Sequence, residues 1–320
     1  MEGAPAANPI LVVGMNRGGT TLLCNVLCRH PQVDAPKHRL HWGCHECQVL
    51  RHAQYWGDLT DTGQFIRFME LYSSGDFFTL AEGDKEYFYA HRPRDFYEFF
   101  LTLMEQFAAR RQIPYWVMKL DERFYHRPRE LERFLSLVRG RYTDPRCIGI
   151  LRDFGGVLKS HLRRRVSSSE VGSARFSIGH QWFAVSQTLR YAAQRPKIRR
   201  IVAEADGLLL DFSELVGDFE AASRRICTYL DLEYSPQMLE RQFPPNTSFK
   251  DDRERREIIS PWQLALLDNL VRPVFEAAHP LSSAWRRIRD AQGSRTCPLS
   301  WRLLRERRGL GLPEDTPESG

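Results

Sequence analysis

Gly14-Met15-Asn16-Arg17-Gly18-Gly19-Thr20-Thr21 has the composition of a turn that holds an anion. Gly14 and Gly19 give the spacing G-x-x-x-x-G of a phosphate-binding loop. Glycines let backbone N–H groups approach a phosphate-like group, and the start of a following helix adds unpaired donors and a favourable dipole. The lysine of a nucleotide-hydrolysing loop is absent; Thr20 and Thr21 stand there, and Arg17 is the loop's only cation. Such a turn should grip a phosphate-like group without the lysine and magnesium apparatus that cleaves ATP. An ordinary glycine-rich strand–helix turn has the same spacing, so the loop takes its meaning from other charges. Two further cations close short apolar runs: Lys119 in Val117-Met118-Lys119 and Arg152 in Ile150-Leu151-Arg152.

The elements that would position these groups follow from the apolar pattern. Residues 10–13, 115–118 and 147–151 have the length and β-branched content of buried strands, and residues 198–203 suggest a fourth. Helical spacing predicts helices from residue 20 to about 29, over 128–139, 157–166 and 178–194, and an amphipathic one over 219–230. A last helix is expected over about 262–278. Strands alternating with helices predict an α/β fold with a central parallel sheet flanked by helices. In such sheets ligands bind beyond the carboxyl ends of the strands. If the first three strands are neighbours, the glycine loop, Lys119 and Arg152 converge on one crevice. Between residues 48 and 111 the chain is rich in aromatics at helical spacing, among them Phe65, Phe68, Met69 and Tyr72, then Phe96, Phe99, Phe100, Leu103 and Phe107. Core packing is the favoured reading, with an acceptor-pocket lining as the second. Residues 73–93 read as a loop or lid.

Composition sets the outer bounds. The chain has 320 residues, 42% of them hydrophobic, and a formal charge of +6. That balance suits a folded domain with an anionic ligand, and it does not choose between nucleotide, nucleic acid and polysaccharide. Seven cysteines make an odd count without a disulfide-framework spacing, so a reducing, cytoplasmic setting is expected. No run of apolar residues reaches the length of a membrane span. Residues 1–8 are expected to be a flexible lead, 9–293 a single domain, and 294–320 a basic segment with a disordered tail. Between residues 24 and 47, Cys24, Cys28, His30, His38, His41, Cys44, His45 and Cys47 raise the alternative of a zinc site. Core packing suffices for Cys24 and Cys28, and no metal is expected.

Four segments taken together resemble the sulfotransferases that use 3′-phosphoadenosine-5′-phosphosulfate (PAPS). Arg17-Gly18-Gly19-Thr20-Thr21-Leu22-Leu23, followed by His30-Pro31-Gln32-Val33, is similar to the family's 5′-phosphosulfate loop R-S-G-T-T-L-L with H-P-x-V after its helix. Arg152-Asp153-Phe154-Gly155-Gly156-Val157-Leu158-Lys159-Ser160 resembles the 3′-phosphate motif R-D-P-R-D-V-V-x-S, with Phe154 and Gly155 replacing its proline and second arginine. Lys119-Leu120-Asp121 resembles a strand end in K-T-P or K-D-P. Residues 201–209, followed by a helix ending at Leu232, resemble V-R-Y-E-D-L-L and its helix, without the tyrosine.

The resemblance implies a P-loop nucleotide-kinase-like sulfotransferase architecture with PAPS as donor and adenosine 3′,5′-bisphosphate as product. Arg17, Gly18, Gly19, Thr20 and Thr21 would hold the 5′ end, and Arg152 and Ser160 the 3′-phosphate. Ser248 and Lys250 lie in a late polar loop that in the family closes over the nucleotide. Lys119 and Arg17 would stabilise the leaving oxygen of an in-line transfer. A base must take the acceptor proton; His38 is the first choice, Glu46 the second and His41 the third. The acceptor implied is a small molecule or carbohydrate, with a homodimer possible and no nucleic-acid partner. The competing readings are a P-loop kinase or NTPase, which the missing lysine opposes, and a basic polyanion-binding protein, which has no need of two anion motifs in this order.

Overall fold

A computed structural model describes residues 7–37, 49–120, 122–165, 178–240 and 261–274. Of these, residues 7–273 belong to one compact unit. Its centre is a five-stranded parallel sheet: β1 (Asn8–Gly14), β2 (Val33–Asp34), β3 (Tyr115–Lys119), β4 (Arg146–Leu151) and β5 (Leu208–Asp211), in the order β2-β3-β1-β4-β5. The expected α/β class with a central parallel sheet is therefore what the chain adopts. The strands that end in the glycine loop, Lys119 and Arg152 are immediate neighbours.

Successive strand residues point to opposite faces. Ile10, Val12, Val117, Ile148, Ile150 and Leu210 pack into one buried cluster, whereas Leu11, Val13, Trp116, Met118, Cys147 and Leu151 pack into the other. On the first face lie α1 (Thr20–Leu27), α10 (Phe212–Gly217) and α11 (Phe219–Leu230), contributing Leu23, Val26, Leu27, Leu215, Ile226 and Leu230. The second face is covered by α2 (Val49–Tyr55), α3 (Thr62–Tyr72), α4 (Asp76–Leu80), α5 (Lys85–Ala90), α6 (Phe96–Arg111), α7 (Pro128–Arg141), α8 (Phe154–Arg165) and α9 (Ile178–Glu204). Two 3₁₀ turns, Glu122–His126 and Pro236–Leu239, join these elements, and α12 (Pro261–Leu266) runs on into a π turn at Leu267–Val271.

The aromatic run is core, as favoured. Phe65, Phe68, Phe96, Phe99, Phe100 and Phe107 are all buried, and the Phe99 ring meets Phe68 at 4.8 Å and Phe88 at 4.4 Å. Three expectations need correction. Residues 73–93 are not one loop or lid: Asp84 caps α5 by accepting the Tyr87 N–H at 3.1 Å, and α4 buries Phe77 and Phe78. The two-residue strand β2 was not expected, being too short to leave a period.

The fourth strand is the third correction. Residues 198–203 belong to α9, which continues through Pro196 and buries Ile198, Ile201 and Val202 at helical spacing. Their β-branched side chains resemble a strand, but one face packs on the sheet, where Val202 would clash with any Cβ at Gly149. The helix ends where the Gly207 N–H donates to Val202 O at 2.7 Å, with Asp206 left-handed at φ 46. The true strand, β5, comes ten residues later than expected.

Candidate active site

β1 feeds directly into the glycine turn. The Gly18 N–H donates to Met15 O at 2.9 Å, closing a tight turn, and the Leu23 N–H donates to Gly19 O at 3.0 Å, opening α1. Gly19 has φ 102, and a Cβ there would lie 2.4 Å from Phe212 Cδ2, so both conformation and space require glycine. Arg17 is left-handed at φ 66, a conformation disfavoured for a side chain of its kind. Backbone strain at the loop's one cation is the sort that functional turns retain.

The glycine loop and the Arg152–Ser160 segment meet beyond the ends of adjacent strands. Arg17 Nε donates to Ser160 Oγ at 2.9 Å, although 143 residues separate them, and Arg152 Nη1 donates to Arg17 O at 3.4 Å. Ser160 is buried on α8, and the adjacency of β1 and β4 brings that helix beside the loop. Arg152 is itself held on two sides. Its guanidinium carbon lies 4.3 Å from the Phe212 ring centre, and Gly156 passes so close that a Cβ would stand 2.5 Å from Arg152 Nε. The departures from the R-D-P-R-D pattern thus have a structural use: Phe154 is buried edge-on to Tyr191 at 5.3 Å, and Tyr191 donates to Arg152 O at 3.0 Å. Burial raises the Tyr191 pKa, which keeps that donor protonated.

Thr20 is buried and Thr21 exposed at the start of α1. Lys119 ends β3, where its register partner on β1 is Val12, two residues before Gly14. It borders a cavity of about 10 Å³ that is also lined by Pro36, Phe77, Phe100, Met104 and Met118. His38, Glu46, Ser248 and Lys250 lie outside the described residues, as do His41, Cys44, His45 and Cys47. Cys24 packs in the core of α1, and among the described residues no group of His, Cys, Asp or Glu is arranged to hold a metal ion. His30 is structural: its Nδ1 accepts from the Gln32 N–H at 3.2 Å, which leaves Nε2 to donate to Glu233 O at 2.8 Å.

Two residues escaped the sequence reading. Tyr125 is buried in the 3₁₀ turn after β3, and its hydroxyl both accepts from the Gly14 N–H at 3.0 Å and donates to Gly14 O at 3.1 Å. A lone tyrosine carries no signal for such a role. Phe212 was missed because the last strand was placed too early. With β5 ending at Asp211, the residues leaving it are Phe212-Ser213-Glu214-Leu215, an aromatic, a carboxylate and a leucine in the order that Y-E-D-L requires. The signal was present, in the wrong register.

The family model described as "Sulfotransferase family" matches residues 9–236, most of the chain. The chain belongs to the sulfotransferase family and is a transferase of that kind. Its fold is similar to that of the sulfotransferase domain from the curacin biosynthetic pathway, at 15% identity, TM-score 0.46, with 97% of this chain and 99% of that one covered. It is also similar to sulfotransferase STF1 from Mycobacterium tuberculosis H37Rv, at 15% identity, TM-score 0.47, with 85% and 77% covered. No curated protein matches the chain. Among the described residues, no helix is long and apolar enough to cross a membrane.

Proposed function

We propose that this sulfotransferase uses PAPS and transfers its sulfonate to a hydroxyl, or an amine, of a small-molecule or carbohydrate acceptor. The observation that carries the reading is the contact of Arg17 Nε with Ser160 Oγ, 2.9 Å, beside Arg152. A donor with a 5′-phosphosulfate and a 3′-phosphate needs two anion sites that share one crevice, and these donor types suit both groups. PAPS supplies the activated sulfonate. The amides of Gly18 to Thr21 and the Arg17 guanidinium bind the 5′ end; Arg152 and Ser160 bind the 3′-phosphate. Arg17 and Lys119 offset the negative charge that develops on the leaving oxygen. His38 takes the acceptor proton, with Glu46 as the second choice, and Ser248 and Lys250 add contacts to the nucleotide. The loop works without the lysine and magnesium of an NTPase, so no metal enters the transfer. The odd cysteine count supports a cytoplasmic setting, and a homodimer is compatible with the family reading.

Incubation with PAPS and a panel of hydroxyl and amine acceptors, read by mass, tests this. A gain of one sulfonate, unchanged by a metal chelator and lost in Lys119→Ala, is expected. A panel without sulfonated product, together with no release of adenosine 3′,5′-bisphosphate, would refute it.

A further inference from the structure

Phe212 touches both the glycine loop and Arg152, and the strand register puts it there. β5 pairs with β4 so that Asp211 lies opposite Leu151. Both strands end at that level, so the residues that leave them, Phe212 and Arg152, stand side by side. β4 pairs in turn with β1, with Ile150 opposite Gly14, where the glycine loop begins. The loop, Arg152 and Phe212 therefore leave three consecutive strands of the sheet.

The backbone that carries the ring is braced. Phe212 is the first residue of α10, whose Leu215 is buried in the same cluster as Ile150 and Leu210. The Asp211 N–H donates to Glu214 Oε2 at 3.4 Å. From α11, Arg225 Nη1 donates to Glu214 Oε1 at 2.5 Å and Nη2 to Leu209 O at 3.3 Å. A carboxylate that reaches back from the first turn fixes how a helix leaves the strand before it.

The ring then has two neighbours. One edge lies against the loop, because a Cβ at Gly19 would stand 2.4 Å from Phe212 Cδ2 and 2.9 Å from Cε2. Over the ring sits Arg152, with its guanidinium carbon 4.3 Å from the centre, well within reach of a cation–π contact. A guanidinium stacked on a ring is engaged through its face, whereas its N–H groups donate in its own plane. An arginine side chain has many rotamers, so a ring that restricts the fork to one plane lowers the ordering cost of gripping an anion.

Resting on the PAPS reading, we propose that Phe212 is a positioning residue for the donor nucleotide. It sets the plane in which Arg152 meets the 3′-phosphate, and its packing against Gly19 keeps that plane in register with the 5′ loop. Phe212 acts through Arg152. It thereby strengthens the preference for a nucleotide phosphorylated at both ends over one phosphorylated at the 5′ end alone.

The test titrates the full chain with adenosine 3′,5′-bisphosphate and with adenosine 5′-monophosphate, which lacks only the 3′-phosphate. The wild type should prefer the bisphosphate by about a hundredfold. Phe212→Leu keeps apolar bulk and removes the π face; it should shrink that preference about tenfold and leave the monophosphate Kd within about twofold. Phe212→Tyr keeps the ring and should keep the wild-type preference. In an Arg152→Ala background, adding Phe212→Leu should change neither Kd by more than about twofold, because the ring then has no guanidinium to orient. Thermal melting checks that each variant is folded. Should Phe212→Leu prevent folding, Phe212→Met, which fills similar space without a π face, carries the same expectation. An unchanged preference in the folded Leu or Met variant, an equal loss for both nucleotides, a preference lost in Phe212→Tyr, or a full further loss in the double variant would overturn the proposal. Failure of the wild type to bind adenosine 3′,5′-bisphosphate would instead overturn the PAPS reading beneath it.

Discussion

The two faces of the sheet are built from different side chains and serve different ends. One is aliphatic and compact: α1, α10 and α11 pack Leu23, Val26, Leu215 and Ile226 onto Ile10, Ile148 and Leu210. Its helix α1 begins at the glycine loop, so packing there fixes the loop directly. The other face is aromatic and thick, with Phe99 touching Phe68, Phe78, Phe88 and Phe96 around one ring. That layer carries the 3₁₀ turn, Lys119's cavity and α2. A short aliphatic layer thus carries the helix that follows the glycine loop, and a deep aromatic layer covers the opposite face. Tyr125 belongs to the aromatic layer and grips Gly14, so it joins the two.

Damage to the aromatic layer should cost the most stability. Phe99→Ala removes the hub ring and is expected to lose about 3–5 kcal/mol in chemical denaturation, as large-to-small core changes do. Nucleotide binding by the folded fraction should stay within about twofold if the layers act separately. A nucleotide affinity that falls in step with stability would merge the two layers into one.

His52 gives the same layer a pH dependence. Its pKa falls from 6.5 to about 4 through burial, then Arg51 and Arg123. The unfolded chain therefore takes up the proton first as pH drops, and stability declines from about pH 6.5 towards 4, by up to about 3 kcal/mol. Thermal melting at pH 7 and pH 5 should show a smaller difference in His52→Gln than in the wild type. An identical difference in both would remove His52 from the account.

Tyr125→Phe probes the joint. Losing both hydroxyl contacts should cost about 1–3 kcal/mol at most in stability. Because the loop's first residue is released, nucleotide affinity should fall about tenfold. Calorimetry that finds wild-type affinity would make Tyr125 a packing residue only. The smallest effect belongs to exposed ion pairs remote from either site: Arg200→Ala, which breaks a surface contact with Glu204, should change stability by under about 0.5 kcal/mol.

The aliphatic layer was the more legible in sequence. Its strands are β-branched runs bounded by turns, α11 shows a clean apolar stripe, and Gly14 to Thr21 carries both spacing and residue type. The Arg152–Ser160 motif was equally plain once the resemblance was drawn. What escaped notice follows from tertiary context. Ile198, Ile201 and Val202 have strand-like side chains but continue a helix through Pro196, because one helical face is buried on the sheet. That error displaced β5 and hid Phe212. Tyr125 reaches Gly14 through contacts that no local pattern encodes.

The central claim is that Arg17, Ser160 and Arg152 form one crevice for a bisphosphate nucleotide. Calorimetric titration of adenosine 3′,5′-bisphosphate into the wild type and into Arg152→Ala tests it most directly. The account predicts wild-type binding and a loss of about a hundredfold in the variant, as expected for a planar, charge-assisted contact worth roughly 3 kcal/mol. Absence of wild-type binding, or equal affinity in the two proteins, would contradict it.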